Sequence, residues 1–443
     1  MWPLEQLLQS YLSVLARFNQ LFNYFVGIIA LVAVVMRLSR RQDVLSAYWN
    51  PATFLTLLLY FLWAIGIIYS PGRDHAAEGF LFSLRYQILL LVILPLIIVD
   101  IFEFRKMLTG FMVVGSLIAI LIMLNPTTSY YSGRLSLDLG MAGAHYERGN
   151  PLALAELGGL LALVAALIRP ASVSPFFNIL RITAFVAGMG LAIASGSRGQ
   201  VLAACATGVL FFPVARKLAS PKQFFFTMIG LGTLILGLFV MFKLFISDQN
   251  RARWDTFALT RDLIQRFDMV WVLFSAYLAN PASWLFGLGT SAYVVYSTDR
   301  HTVYPHNVIA EVVCEQGLAG AIVLLLITVL TIKYGRRLWE MYRDDAVMRA
   351  TIACLFAICL FYLLLSLKQG SVAYPAPFYW WLILSKLSYQ EQRLGVPAAD
   401  SALDDAYAES HDDDWDAEDD AEFPADDNPP QSEPQQGDYA LGY

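Results

Sequence analysis

Long apolar segments recur along almost the whole sequence, and they restrict the possible folds more than any other feature. A helix needs roughly 20 apolar residues to cross a hydrocarbon layer about 30 Å thick. Within lipid every backbone polar group must be paired internally, which only helices and closed barrels achieve. These apolar segments predict an all-α integral membrane protein. They lie at about 22–38, 51–70, 79–99, 107–124, 151–169, 178–195, 199–216, 224–246, 307–333, 348–367 and 372–389.

The segment 4–18, LEQLLQSYLSVLARF, is a further candidate that is short and carries Glu5 and Arg17. It either spans the membrane or lies flat in the interface. As a span, it gives about 12 transmembrane helices with both termini in the cytoplasm. Alternate loops are then rich in arginine and lysine, which is typical of cytoplasmic loops. These basic residues are Arg37, Arg40, Arg41, Arg105, Lys106, Arg169, Arg216, Lys217, Lys222, Lys333, Arg336, Arg337 and Arg343.

The C-terminal residues have a different composition from the rest of the chain. Residues 391–443 contain 17 acidic residues and one arginine. Such a segment has too little apolar area to fold. We therefore predict a polytopic transmembrane domain over 1–389 and an acidic, disordered cytoplasmic tail over 390–443. The tail is either simply solvated or binds a basic partner; we expect no nucleic-acid partner.

Three regions between predicted spans on the non-cytoplasmic side are more than simple turns. They are residues 125–150, the short turn SGSRGQ at 195–200, and the long segment at about 247–305. In the long segment, apolar residues recur at helical spacing from Leu263 to Leu278. This pattern predicts an amphipathic helix over about 256–279 that ends before Pro281 and lies over the bundle on the outer membrane face.

Five ionisable residues lie in or beside predicted spans, where a charge is expensive and is a candidate for function. They are Arg85, Glu156, Arg198, Glu311 and Glu315. The predicted topology places all of them near one depth on the non-cytoplasmic side, with no comparable group in the cytoplasmic half. A transporter usually has its polar groups at the midplane, so this pattern favours a site open to the outside and the outer leaflet. The alternative is that these charges pair with one another to hold helices together.

His306 lies at the predicted start of the span that contains Glu311 and Glu315. The positive end of the helix dipole disfavours an imidazolium there, so a neutral histidine could accept a proton. Arg198 lies on the glycine-containing turn, where its planar guanidinium could bind phosphate oxygens. The ordinary alternatives are a surface histidine at a helix start and an arginine that extends to water at the interface.

Four segments, taken together in chain order, resemble the bacterial O-antigen ligase and polymerase superfamily. They are RGNPLALAELGGL at 148–160, SGSRGQ at 195–200, RFDMVW followed by NPASWLFGLG within 266–289, and PHNVIAEVVCEQGLAG at 305–320. The resemblance covers about 145–335 by motif. Its most specific part is the run that begins at His306.

The resemblance implies a GT-C-like glycosyltransferase of the bacterial inner membrane, with its active site on the periplasmic side and without a metal or cofactor. As a ligase, it would move a glycan from undecaprenyl diphosphate to a hydroxyl of lipid A–core among the membrane lipids. Attack opposite the diphosphate predicts inversion at the sugar carbon. The alternatives are an O-antigen polymerase, a protein O-oligosaccharyltransferase of the same superfamily, and a transporter of lipid-linked sugar.

The resemblance also implies roles for individual residues. His306 would be the base that activates the acceptor hydroxyl, and Arg198 and Arg266 would bind the donor diphosphate. We predict supporting or acceptor-binding roles for Asn307, Glu311, Glu315, Arg85, Glu156 and Arg148. We predict no metal ligands.

Overall fold

The structure is a computed structural model that describes most of the chain up to residue 394. The described residues are 2–11, 19–40, 43–98, 100–131, 133–142, 145–170, 174–216, parts of 220–240, 256–297 and 304–394. Compact units comprise Met1–Gly395 and Val396–Tyr443. Nearly all of the predicted acidic tail, 390–443, therefore lies outside the described residues.

The first unit is mostly helical. Its helices are α1 (Trp2–Tyr11), α2 (Asn19–Arg40), α3 (Asp43–Tyr48), α4 (Pro51–Ile65), α5 (Arg73–Gln87), a π-helical segment (Ile88–Ile93), α6 (Leu94–Ile97), α7 (Ile101–Leu124), α8 (Pro151–Leu167), α9 (Pro175–Ala194), α10 (Arg198–Ala215), α11 (Thr256–Ala279), a 3₁₀ turn (Pro281–Ser283), α12 (Tyr293–Tyr296), α13 (Val308–Glu315), α14 (Gly317–Tyr342), α15 (Ala346–Gln369) and α16 (Ala376–Leu394).

Among the described residues, 6 helical segments are long and apolar enough to cross a membrane. They are Arg73–Ile97, α7, α9, α10, α14 and α15. Two shorter apolar helices, α4 and α8, also coincide with predicted spans, and α2 and α16 form at two more. The segment 224–246 lies largely outside the described residues. Of the segment 4–18, the structure describes residues up to Tyr11, and 12–18 lie outside the described residues. The apolar helices confirm a membrane-protein architecture, whereas the count of 12 spans stays a prediction.

One predicted outer region forms strands. Residues 128–148 make an antiparallel sheet in the order β1 (Thr128–Tyr131), β2 (Arg134–Ala142) and β3 (His145–Arg148). The β1–β2 hairpin pairs Tyr131 with Arg134 across a turn that contains Gly133, whose φ is 71°. Alternation of Leu135, Leu137 and Leu139 buries one face of β2. The all-α prediction did not include this sheet.

Small residues allow the central helices to pack at close range. A Cβ on Gly158 of α8 would lie 2.4 Å from the carbonyl oxygen of Gly188 in α9, and a Cβ on Gly188 would lie 2.7 Å from that of Gly158. Such backbone approach is typical of helix pairs in lipid, where packing rather than the hydrophobic effect drives association. These two helices hold α10 and α15 in place, which carry part of the candidate site.

Charged side chains are buried at both ends of the bundle, which corrects the expectation that only one end carries them. Lys386 of α16 is 1% exposed and donates to the carbonyl oxygens of Pro95, at 2.7 Å, and Ile98. These carbonyls belong to the end of α6, where the helix stops. Arg349, near the start of α15, is 4% exposed. Lys386 thus contacts the end of α6, and Arg349 lies in the first turn of α15, at the end opposite to the one that carries Lys368.

The amphipathic helix is confirmed as α11, but its apolar stripe faces outward. Leu263, Ile264 and Phe267 are 68%, 57% and 67% exposed, whereas Leu273 is fully buried. The sequence predicted that this helix lies over the bundle, but the apolar side chains of its first half are exposed. Polar residues on the opposite side of that half face inward, as described next.

Candidate functional site

Arg198 begins α10, immediately after the SGSRGQ turn, and forms an ion pair with α11. Its Nη2 donates to Oδ2 of Asp262 at 2.5 Å, and the Arg198 side chain is only 11% exposed. Gly196 has a φ of 66°, which lets the chain reverse between α9 and α10 without steric strain. The turn thus places a guanidinium against the inward side of α11.

Two more guanidiniums lie near this pair. Arg266, one helical turn after Asp262, is partly buried, and burial lowers its pKa while Asp262 opposes the change and Arg198 adds to it. Arg134, at the β1–β2 hairpin, has its pKa lowered by burial and by Arg198 and Arg266, with Asp262 again opposing. The buried Nη1 of Arg266 and Nε of Arg134 have no hydrogen-bond partner among the described residues. Arg134, Arg198 and Arg266 are therefore all close enough to Asp262 to be influenced by its carboxylate.

His306 lies between this group and α15. Its φ of 58° is in the left-handed region, which non-glycine residues rarely adopt. The ring packs edge-on against Tyr304, with centroids 4.3 Å apart. Burial, Arg266 and Lys368 lower the pKa of His306 to about 4. The neutral imidazole is the form that this environment favours, and its buried Nδ1 has no partner among the described residues.

Lys368, near the end of α15, lies over the start of α10. Its Nζ donates to Oε1 of Gln200 at 3.3 Å. A Cβ on Gly199 would lie 2.3 Å from that same Nζ, so the missing side chain of Gly199 provides the space for the lysine. Gln200 also bonds to Gln369 at 2.9 Å and to Ser197. These bonds hold the lysine beside the turn that carries Arg198.

Two of the predicted carboxylates hold the segment that follows Lys368. Glu311 of α13 accepts hydrogen bonds from Oγ of Ser371 at 2.9 Å and from the backbone N–H of Val372 at 3.1 Å. Glu156 of α8 accepts one from the hydroxyl of Tyr374 at 2.9 Å. Both glutamates therefore contact the turn after α15, and through it they fix the end of the helix that presents Lys368.

Glu315 holds a different segment, the glycine-rich stretch after α11. Its carboxylate accepts from the N–H groups of Ser291, at 2.8 Å, and Tyr293, at 3.2 Å. The same stretch crosses the break between α13 and α14, with Gly289 N–H donating to the carbonyl oxygen of Glu315 at 3.0 Å. Gly287 and Gly317 have positive φ values of 82° and 66°. A Cβ on Gly287 would lie 2.2 Å from the backbone carbonyl carbon of Glu315, and one on Gly317 would lie 2.4 Å from the backbone N of Gly287. Two motifs that are remote in sequence thus form one scaffold under His306.

The remaining predicted residues have local contacts. Asn307 caps α13, its Oδ1 accepting from the N–H of Ala310 at 3.1 Å. Arg85 lies 4.8 Å from the ring centroids of both Phe82 and Tyr86 on its own helix. Arg148 stacks on Tyr131 at 3.9 Å and lies 3.9 Å from Asp138. The structure therefore brings His306, Arg198 and Arg266 together. Asn307 instead caps a helix, and Arg85 and Arg148 contact aromatic rings.

Sequence reasoning missed Arg134, Tyr304 and Lys368. Arg134 lies in a region for which the sequence predicted no regular structure, so nothing located it. Lys368 lies near the end of an apolar helix, where a lysine usually extends to water. What distinguishes it is that its side chain packs directly against Gly199. Tyr304 is two residues before His306, and a polar–aromatic pair before a helix carries no distinctive signal.

Comparison with protein families gives one match. Residues 183–325 match the family described as O-antigen ligase. The match confirms the resemblance to the O-antigen ligase superfamily. The matched segment covers less than half of the chain, begins within α9, ends within α14, and contains Arg198, Arg266 and His306. No curated protein matches the chain.

Proposed function

We propose that the protein is an O-antigen ligase that moves a glycan from undecaprenyl diphosphate to a hydroxyl of lipid A–core at the periplasmic face. The observation that carries this proposal is the grouping of His306 with Arg266 and Lys368 on one side and Arg198 and Arg134 beyond them. This grouping lies at one end of an apolar helical bundle. Its members His306, Arg198 and Arg266 lie within the segment that matches the family, whereas Lys368 and Arg134 lie outside it.

The cations suit a diphosphate leaving group. As the bond between the sugar carbon and the diphosphate oxygen breaks, negative charge develops on the diphosphate, and fixed guanidiniums and an ammonium would stabilise it. With Asp262 as the carboxylate that Arg198 contacts, the described site keeps an excess of positive charge. Arg198 and Arg266 would hold the diphosphate, with Arg134 and Lys368 beside them.

His306 would act on the acceptor. Its neutral ring would take the proton of the acceptor hydroxyl while the hydroxyl oxygen bonds to the sugar carbon, and the diphosphate would depart from the opposite face. The products are an inverted glycosidic bond, a protonated histidine and free undecaprenyl diphosphate. Bound diphosphate would offset the charges of Arg266 and Lys368, so donor binding would raise the affinity of His306 for that proton.

The exposed stripe on α11 supports a lipid-borne donor. Leu263, Ile264 and Phe267 are exposed on the same helical turns that carry Asp262 and Arg266 on the inward side. A polyprenyl chain could lie on the apolar side while its diphosphate reaches the arginines. A soluble sugar nucleotide would need no such surface.

The test is transfer by the purified full chain in nanodiscs, supplied with lipid-linked glycan and lipid A–core in the presence of chelator. We expect a glycosylated lipid A–core whose anomeric configuration, measured by NMR, is inverted relative to that of the donor. We expect His306→Ala to reduce transfer by at least about 100-fold, the range for loss of a general base, while donor binding is retained. We expect Arg266→Ala to reduce transfer as well. Arg261→Ala is its matched control, because Arg261 lies on the exposed side of α11.

Two outcomes would separate the alternatives. A product whose glycan is extended on the lipid carrier, with lipid A–core unmodified, would identify a polymerase, which uses the same histidine and arginines. Movement of the donor between leaflets without any new glycosidic bond would identify a transporter and overturn the enzymatic proposal.

A further inference from the structure

A second cluster of arginines lies at the end of the bundle opposite to His306. α10 begins with Arg198 and ends just before Arg216, about 27 Å away along the helix at 1.5 Å per residue. Arg216 meets arginines from other segments there. They are Arg105 of α7, Arg169 after α8, Arg181 of α9 and Arg349 of α15.

The arginines are close enough to affect one another. Burial, Arg181 and Arg169 lower the pKa of Arg216 to about 10, and burial and Arg349 lower that of Arg169. An Nη2 atom of Arg105 lies 3.5 Å from the carbonyl oxygen of Arg169. Arg169 thus repels Arg181, Arg216 and Arg349 at one place, and Arg105 lies beside them. This repulsion costs stability unless an anion compensates it.

The protein compensates part of this charge. Arg181 donates to the carbonyl oxygens of Ala165, at 2.9 Å, and Ala166, at 3.3 Å, which closes the end of α8. Asp345 lies near Arg105 and also caps α15 through the N–H of Val347. In the part of the chain that the structure describes, no carboxylate forms an ion pair with these five arginines, so most of their charge is unbalanced.

Unsatisfied donors remain within the cluster. The Nε atoms of Arg105, Arg169, Arg216 and Arg349 are buried and have no hydrogen-bond partner among the described residues. A cavity of about 590 Å³ adjoins Arg349 and is lined by Pro213, Val214, Trp339, Arg343 and Asp344 as well. Of these four arginines, Arg349 borders the cavity. Guanidinium groups are suited to bidentate binding of phosphate oxygens.

Apolar side chains extend from the cluster along the outer helix surfaces. On α9, Phe176, Ile179 and Ile182 are 74%, 62% and 65% exposed around Arg181. On α10, Leu210 is 56% exposed about two turns before Arg216. A ligand with a phosphate head and acyl chains would contact both the arginines and these surfaces, whereas a free phosphate would contact only the arginines.

We propose that the cluster of Arg105, Arg169, Arg181, Arg216 and Arg349 binds the phosphate headgroup of an anionic phospholipid of the surrounding leaflet. Basic pockets between transmembrane helices on the cytoplasmic side are known to bind such headgroups. The site is independent of the donor site proposed above, so the transfer reaction does not decide it.

Native mass spectrometry of the full chain, released from phosphatidylcholine nanodiscs with and without cardiolipin, tests this site. We expect retained cardiolipin and a higher melting temperature in its presence. The double variant Arg169→Gln/Arg216→Gln should bind cardiolipin roughly 25-fold more weakly, about fivefold for each arginine near a membrane surface. Arg336→Gln is the matched control, because Arg336 is exposed and paired with Glu340 at 2.9 Å.

Three results would overturn the proposal. Equal retention of phosphatidylcholine would show that headgroup charge is not recognised. Unchanged cardiolipin binding by a double variant whose melting temperature in phosphatidylcholine equals that of the parent would place the lipid elsewhere. Displacement of cardiolipin by an equal concentration of inorganic phosphate would show that the cluster binds a soluble anion.

Discussion

At the scale of single residues, the unusual feature is His306, whose environment keeps the imidazole neutral at pH values well below those at which a histidine is ordinarily protonated. Arg266 on α11 and Lys368 on α15 act on it electrostatically, and Tyr304 packs against its ring. Glu311 on α13 is near Tyr304 and bonds to the turn after α15. Burial and the two cations lower the pKa of His306 to about 4. A base must be unprotonated, so activity should persist to low pH and be lost as the pH falls through that pKa.

The pH dependence therefore tests the electrostatic role of Lys368. The acid limb of kcat/KM for the donor reports the free enzyme, and that of kcat reports the donor complex. We expect the kcat limb at higher pH, because bound diphosphate offsets the two cations. In Lys368→Met the kcat/KM limb should move to higher pH by roughly one unit, the size of a nearby unit charge at an effective dielectric of about 20. Lys368→Arg should restore it.

A purely structural role for Lys368 would give another result. Lys368→Met would then lower kcat at every pH without moving the limb, and Lys368→Arg would not differ from it. An NMR titration of the imidazole of His306 in the same variants would separate a changed pKa from a changed rate-limiting step.

A substitution at Gly199 can displace the side chain of Lys368 while the lysine itself is unchanged. In Gly199→Ala the new Cβ would overlap the flexible end of Lys368, which must move. We expect the same loss of the electrostatic effect as in Lys368→Met, seen as the same movement of the kcat/KM limb to higher pH, and little further movement in the double variant, because both changes remove the same group. Gly208→Ala is the control on the same helix, since its Cβ would meet only Leu163 at 3.7 Å.

The folded stability should not explain that loss. Alanine is favoured over glycine within a helix by about 1 kcal/mol, so both variants should melt at or above the temperature of the parent. A lower melting temperature in Gly199→Ala alone would show that Lys368 cannot move and that the position matters for packing instead.

At the scale of elements, the site depends on a crossing between two loops. The stretch Trp284–Gly289 passes the break between α13 and α14, where Leu318 N–H donates to the carbonyl oxygen of Trp284 at 2.9 Å. Gly317 forms the break with a φ of 66°, and a Cβ there would lie 2.4 Å from the backbone N of Gly287. The glycines allow this approach, and Glu315 fixes it through its bonds to Ser291 and Tyr293.

Gly317→Ala should therefore destabilise the protein. The left-handed conformation alone costs about 1–2 kcal/mol for alanine, and the backbone overlap adds to it, so we expect a clearly lower melting temperature. Gly110→Ala is the matched control, because a Cβ at Gly110 of α7 meets no atom within 4 Å. Equal melting temperatures for the two variants would mean that the crossing relaxes without cost.

At the scale of the whole molecule, the sequence predicted the helices better than their contacts. Apolar periodicity located α11 at its observed bounds, because the pattern is a property of the helix itself. It did not predict that Leu263 and Phe267 face outward, since in lipid an apolar stripe can face either the bundle or the surroundings. The sheet that positions Arg134 was also missed, because short strands near a membrane surface carry a weak signal beside long apolar segments.

The candidate site was predictable where charge stood out against an apolar background. Arg198 was found in this way, His306 by its place at a helix start, and Arg266 through the resemblance to the family; the three are grouped in the structure. Lys368 and the turn after α15 were not, because their significance depends on Gly199, Glu311 and Glu156, which come from other parts of the chain. Pairings between remote segments depend on tertiary packing, which a single sequence does not reveal.

The two charged ends of the bundle lead to a prediction about orientation. The end with Arg169 and Arg216 should face the cytoplasm, since basic residues are retained on that side, and His306 should then face the periplasm. Arg261 is exposed near the candidate site, and the side chain of Arg336 at the other end is 79% exposed. A cysteine at each position reports the side on which it lies.

We expect Arg261→Cys to react with a membrane-impermeant maleimide in spheroplasts, and Arg336→Cys to react only after the membrane is opened. The parent chain is the background control, because Cys314, Cys354 and Cys359 are buried and Cys205 is partly buried. The reverse labelling pattern would place His306 on the cytoplasmic side. Lipid-linked donors presented at the periplasmic face could not then reach it, and the proposed reaction would fail together with the orientation.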